Sequence, residues 1–171
     1  MRVMNSWKKW LEVITNIAVL CVCVLIAFIG IRDFLSPNTR AVLSGPSKGT
    51  HVSLPGVDWS RANRTLVMVL STQCHFCSDS AAFYQKLLPA AITRNIPVVA
   101  VLPQSIPESR QYLTGLGLQT SNISVLQEPM AAVHVSGTPT LFVVNNHGLV
   151  QRAWSGKLQA PGEAEVLNEI H

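Results

Sequence analysis

The segment "TLVMVLSTQCHFCSDSAAFYQKLL", Thr65 to Leu88, decides how the rest of the chain reads. Its opening, Thr65 to Ser71, is a continuous apolar and β-branched run, the pattern of a strand covered on both faces. Apolar residues at 81, 82, 84, 87 and 88 then share one helical face. That spacing predicts a helix over Ser78 to Leu88, which Pro89 ends or kinks. Between strand and helix stand Cys74 and Cys77, with His75 and Phe76 between them. Such a pair can clip a metal, form an inert bridge or exchange electrons.

Downstream, the signals keep alternating. "PVVAVL", Pro97 to Leu102, is a second buried strand, and Ser105, Pro107 and Glu108 mark the start of a helix that stops at Gly115 and Gly117. "NISVLQ" is a third strand, "PMAAVHV" is a helical turn or two, and "GTPTLFVVNNHGLVQRAWSG" reads as two strands joined at Asn145 to Gly148. "PGEAEVLNEI" closes the chain as an amphipathic helix. The fold class is therefore α/β, with a parallel part, an antiparallel part and helices packed on a mixed sheet. About 120 residues bury a self-sufficient core, so a disulfide is not needed as a staple.

Upstream, "HVSLP" is an edge-strand candidate, and the Ser-, Pro- and Gly-rich stretch 33–49 reads as a tether, which starts the domain at Thr50 and extends it to His171. Before the tether, Val13 to Ile31 carries no charge and only Thr15 and Asn16 as polar interruptions. As a helix it would be roughly 28 Å long, enough for one bilayer. It is longer than the apolar centre of a secretory signal, and no small-residue cleavage pattern follows it. We read 12–32 as an uncleaved transmembrane anchor and 1–11 as a cytoplasmic N-terminus, because Arg2, Lys8 and Lys9 precede the span while Arg32 and Asp33 nearly cancel. The expected location is the cell membrane, single-pass, with the C-terminal domain periplasmic or otherwise extracytoplasmic.

The formal net charge of +4 follows from that topology. Residues 1–32 hold a surplus of three positive charges and the remainder a surplus of one. The charge is thus a membrane-orientation signal, and nucleic acid is not an expected partner. Cys21 and Cys23 lie inside the apolar run, two residues apart, projecting to different sides of a helix, and read as small apolar filler. Cys74 and Cys77 fall in the exported part, where disulfides form and persist.

A structural zinc site needs four ligands, and His51, His134, His147 and His171 are scattered without the close pairing that zinc motifs use. An inert bridge over so short a loop restricts the unfolded chain little. The position favours the third use. If the strand leads into a helix, Cys74 stands at the helix N-terminus, where unpaired N–H groups and the dipole favour an anion. Cys77, one turn inward, is better buried and within reach of a mixed disulfide at Cys74.

The motif "VMVLSTQCHFCSDSAAFYQKL", followed about sixty residues later by "VSGTPTLFVVNNHGLVQRAWSGKL", resembles the thioredoxin-like family. Within it the chain is similar to the membrane-anchored thiol-disulfide oxidoreductases of the bacterial envelope. The resemblance covers roughly residues 50–171. It implies a thioredoxin-like fold, catalysis by Cys74 and Cys77 without a cofactor or a metal, and protein thiols or disulfides of the envelope as substrates. It further implies a separate redox partner that recharges the pair. By the same resemblance Pro139 is cis and its loop lies against the cysteines, with Thr138 offering backbone to an incoming substrate strand. The chain departs from the family at two positions, where Met68 replaces a buried acid and Gln73 replaces a tryptophan. His75 either tunes the neighbouring sulfur or points into solvent, and its place inside the motif favours tuning. Phe76 is expected at the surface, as a docking group or a shield, and Asp79 as a first-turn acid. Two other classes stay open on sequence alone: a metal-binding or metallochaperone module using the same cysteines, and a thiol peroxidase.

Overall fold

The computed structural model describes residues 10, 12, 14–23 and 45–171. The chain divides into two units, Met1–Val42 and Leu43–His171. In the first, residues 14–23 are helical (α1), and Ile14, Ile17, Val19, Leu20 and Val22 are each more than half exposed. Among the described residues no helix is long and apolar enough to cross a membrane. Residues 13 and 24–32 of the expected anchor, and 33–44 of the expected tether, lie outside the described residues.

The second unit is built on five strands: β1 Arg64–Val69, β2 Val98–Leu102, β3 Ile123–Gln127, β4 Thr140–Asn145 and β5 Val150–Ser155. They lie in the order β3-β2-β1-β4-β5. β1 runs parallel to β2, and β2 to β3, whereas β4 is antiparallel to both β1 and β5. The helices are α2 His75–Asp79, α3 Ala81–Thr93, α4 Ile106–Gly115 and α5 Ala160–Glu169. The mixed sheet with flanking helices is the α/β class that the alternation of signals predicts.

The apolar runs of β1, β2 and β4 are continuous because both faces of the sheet are covered. Side chains alternate across a strand, so Leu66, Met68, Val98, Ala100, Leu141 and Val143 meet the helices through Leu87, Leu113, Val166 and Ile170. Val67, Val69, Val99, Val101, Phe142 and Val144 face the other way, against Val52, Leu54, Val133 and Val135. That second cover comes from loops and a 3-10 turn over Met130–Val133, not from a helix. Each such side chain stabilises the fold by roughly 1.5–3 kcal/mol on full burial. A one-residue slip of β1 would exchange its two faces, which fixes the register Val67↔Val99 and Val67↔Phe142.

Four local expectations change. "HVSLP" makes only an isolated bridge, His51 to Leu149, in place of an edge strand. Chain order begins before Thr50: Gly49 N–H donates to the Val150 carbonyl at 2.8 Å, and a Cβ on Gly45 would stand 3.0 Å from Ser155 Oγ. The helix after the cysteines starts earlier, at His75, and breaks at Ser80, whose hydroxyl donates to the Phe76 carbonyl at 2.8 Å. Such back-bonding to the carbonyl four residues earlier competes with the helical ladder. Pro89 does not end α3, which continues to Thr93 because Leu87, Leu88 and Ala91 bury on either side of it. The hairpin turn matches its sequence, with Gly148 at φ +76, a conformation that side-chain-bearing residues rarely adopt.

Candidate active site

Parallel strands β1 and β2 end at the same edge of the sheet, and the loops that leave such ends hold the sites of α/β folds. The loop after β1 is braced there by Gln104, whose Oε1 accepts from Thr72 N–H at 3.4 Å and whose Nε2 donates to Ser71 Oγ at 3.2 Å. Cys74 then caps α2. Its backbone is extended, φ −92 and ψ 107, and its sulfur accepts the Cys77 N–H at 3.2 Å, one of the N–H groups that a helix start leaves without a ladder partner. The same sulfur lies 3.3 Å from the Thr138 carbonyl, to which its S–H donates.

Sixty-four residues separate Cys74 from Thr138. The Thr138–Pro139 bond is cis, and Gly156 N–H donates to the Pro139 carbonyl at 2.7 Å. Thr138 is half-buried and Pro139 buried. The loop implied by the resemblance to lie on the cysteines does so.

The two sulfurs sit in different surroundings. Cys74 is half-buried, whereas Cys77 is fully buried and packs in the helix-side core with Met68, Phe83 and Tyr84. Burial pushes the Cys77 thiol up to about 12; the Cys74 sulfur adds to the rise, while the Ser71 backbone and the Thr138 side chain pull the other way. Both thiols are free, as in the dithiol form of the pair.

The outer residues turn toward solvent. Phe76 is 54% exposed, and its ring lies 6.0 Å from that of His75. His75, with a side chain 83% exposed, points its Nε2 to within 3.5 Å of Asp79 Oδ1. Asp79 is the last residue of α2, where the sequence suggests a first-turn acid, and its Oδ2 accepts from Lys157 Nζ at 3.0 Å. The Lys157 hydrogen bond, with His75 adding to it, holds this carboxyl below the usual range against the opposing effect of burial.

Two tyrosines belong to the site that motif reading passes over. Tyr112 shares a hydrogen bond with Ser78 Oγ at 3.1 Å. Tyr84 is 1% exposed. Burial pushes both phenols up and the charge of Cys77 adds to the rise at each, while hydrogen bonding to the Ser80 side chain at Tyr84 and to the Ser78 side chain at Tyr112 pulls the other way. The signal for Tyr84 is its apolar-face position seven residues after Cys77; nothing in the sequence marks its hydroxyl as belonging to the site. Among the described residues no three His, Cys, Asp or Glu side chains converge as a metal site would require.

No protein family and no curated protein matches the chain. Solved structures do. A Chlorobium tepidum protein assigned as thiol:disulfide interchange protein DsbE superimposes with a TM-score of 0.56 at 17% identity, covering 75% of this chain and 98% of its own. A second Chlorobium tepidum structure, a thiol:disulfide interchange protein of the thioredoxin family, gives 0.54 at 15% identity over 73% of this chain and 98% of its own. The thioredoxin domain of a thiol-disulfide oxidoreductase from Bacteroides vulgatus gives 0.52 at 14% identity over 74% and 97%. At these identities the likeness is one of fold.

Proposed function

Given that this domain has the thioredoxin-like fold, we propose that the chain is a thiol-disulfide oxidoreductase acting on protein thiols or disulfides. The observation that carries this reading is the asymmetry of the pair. Cys74 is accessible, caps a helix with its sulfur and touches the Thr138 carbonyl, while Cys77 is buried one turn behind it. An accessible sulfur attacks a substrate disulfide; the resulting mixed disulfide at Cys74 is then released when Cys77 attacks it. Phe76 beside the pair offers apolar contact to the substrate polypeptide, and Thr138 offers backbone. The chemistry needs only the two sulfurs. A metal-binding role would need ligands that the described fold does not bring to the pair.

The test is a pair of single replacements in the full-length chain. Cys77→Ser removes the intramolecular exit, so reductant-sensitive adducts accumulate at Cys74; Cys74→Ser forms none. Adducts of equal abundance in both variants, or in neither, would refute the assigned roles.

The finer part of the proposal is a membrane tether over 12–32, supported by the uncharged run Val13 to Ile31 and the basic residues before it. It puts the N-terminus in the cytoplasm and the Cys74 site in the oxidising envelope, where a second redox protein recharges the pair. Reporter fusions at residues 5 and 171 test it. Activity of the C-terminal reporter only in the cytoplasm would overturn the arrangement.

A further inference from the structure

Cys77 must give up a proton to attack the mixed disulfide, yet burial opposes its ionisation and the position at which the resembled proteins carry a buried acid holds Met68. Two groups donate to its sulfur, the Ser71 backbone N–H and the Thr138 hydroxyl. A turn aims the first of them. Just past β1, Leu70 N–H donates to the Val101 carbonyl at 3.0 Å, and the chain then turns over Ser71–Cys74, closed by Cys74 N–H donating to the Ser71 carbonyl at 3.1 Å. Its central residues, Thr72 and Gln73, are not of the kinds that favour a turn by themselves. One side chain from the loop after β2 holds it instead. Gln104 Oε1 accepts Thr72 N–H at 3.4 Å, and Gln104 Nε2 donates at 3.2 Å to Ser71 Oγ, which also accepts Gln73 N–H at 3.3 Å. Gln104 is half-buried, and its backbone is fixed in turn by the buried Ser109, whose hydroxyl donates to the Gln104 carbonyl at 3.3 Å.

We propose that Gln104 is a positioning residue for release of the mixed disulfide, its amide clamping the Ser71–Cys74 turn so that the Ser71 N–H stays aimed at the Cys77 sulfur. This rests on the exchange function proposed above. In that step the Cys77 sulfur bonds to the Cys74 sulfur while the Cys74–substrate S–S bond breaks. The electron pair leaves on the substrate sulfur, which takes up the proton that Cys77 gave up. The Cys74–Cys77 pair ends oxidised and the substrate departs as a thiol. A donor held in place before the charge appears stabilises it without reorganisation at the moment of reaction. Gln104 acts on that charge only through Ser71. Formation of the adduct draws instead on the Cys74 sulfur, which is held by the Cys77 N–H and the Thr138 carbonyl, so the clamp bears on the second step.

Gln104→Leu removes both amide contacts, and Ser71→Ala removes the hydroxyl to which the amide donates while keeping the Ser71 N–H. Both are made in the full-length chain, singly and together, with glutathione disulfide as the probe and quenched-flow mass spectrometry following growth and decay of the Cys74 adduct. Each single change leaves growth unchanged and slows decay about fivefold, equivalent to about 1 kcal/mol. The double variant is no slower than the slower single, because both changes open one clamp. The rise of decay with pH, followed from about 6 to about 9, moves to higher pH by an amount that matches the slowing, since fewer Cys77 sulfurs are ionised at a given pH. The other titratable groups facing Cys77 are Cys74, Tyr84 and Tyr112; in the adduct Cys74 is a disulfide, and burial keeps both phenols protonated over that range. Decay of Gln104→Leu slowed less than about twofold overturns the clamp, as does equal slowing of growth and decay, a pH profile that keeps its place, or additive effects in the double variant. If Gln104→Leu does not fold, the same split between growth and decay in Ser71→Ala decides. Failure of Cys77→Ser to form any adduct would sink the exchange function itself. A normal adduct in Cys77→Ser with normal decay in Gln104→Leu would sink the role of Gln104 alone.

Discussion

The outer and inner sides of the cysteine pair are built in opposite ways. Outside, Cys74, His75, Phe76 and Asp79 are accessible or half-buried, and the polar members are paired: Cys74 with Thr138, Asp79 with His75 and Lys157. Inside, Cys77 is fully buried in the helix-side core to which Met68, Phe83, Leu87 and Tyr84 also belong. Two identical thiols one helical turn apart are thereby given different chemistry. The difference comes from solvent access and neighbours, since nothing covalent distinguishes them.

The largest effect expected from breaking this contrast is the trapping asymmetry. Cys77→Ser accumulates adducts and Cys74→Ser does not, an all-or-none difference on non-reducing gels. Met68→Asp comes next, because it puts a carboxyl into the inner side with no cationic partner among its neighbours in that core. We expect a loss of about 3 kcal/mol or more at pH 7, read as a lower urea midpoint. The carboxyl's folded-state pKa is raised, so the neutral acid is the form the fold accepts and the loss shrinks as pH falls toward about 4.

A smaller effect sharpens the contrast through pH. The Cys77 thiol is raised from 9.0 in the unfolded chain to about 12 in the fold, so the unfolded state loses this proton first. Stability from this group is complete below about pH 9 and falls as pH rises from there toward about 12. Tyr84 and Tyr112, also raised, act in the same sense above 10. Cys77→Ala should lose stability less steeply over that window in chemical denaturation, and an identical slope would remove burial as the source of the asymmetry. The smallest effects belong to the outer side. Lys157→Met should lower thermal stability slightly, and the difference should vanish at high salt, because the Asp79 pair is partly exposed. His75→Ala should make the reduction potential slightly more negative, through loss of the imidazole next to Cys74. A shift as large as that from an inner-side change would show that the outer side controls the chemistry as well.

The residues whose pattern is local were legible beforehand. The apolar runs of β1, β2 and β4, the Ser105 cap whose Oγ accepts Glu108 N–H at 3.4 Å, and the Asn145–Gly148 turn all report themselves within a few positions. Cys74 and Cys77 stand out by spacing, and the helix between them and Leu88 by period. The break at Ser80 was not legible, because a serine hydroxyl chooses between solvent and the carbonyl four residues back only once its surroundings are set. The passage of α3 through Pro89 was hidden for a similar reason: propensity argued against it, and burial of Leu88 and Ala91 prevailed.

By itself the sequence determined the α/β class, the order of its main elements, the spacing of the cysteine pair and the two positions, Met68 and Gln73, at which it departs from the proteins it resembles. Only the tertiary structure decided what each of those residues faces. Lys157 reaches Asp79 across 78 positions, Thr138 reaches Cys74 across 64, and the loop side of the sheet is closed by Val52 and Leu54 from one end and Val133 and Val135 from the other. Period and propensity act over a few residues and are written along the chain. Burial and ion pairing depend on what distant segments bring, and exist only once the chain has closed on itself.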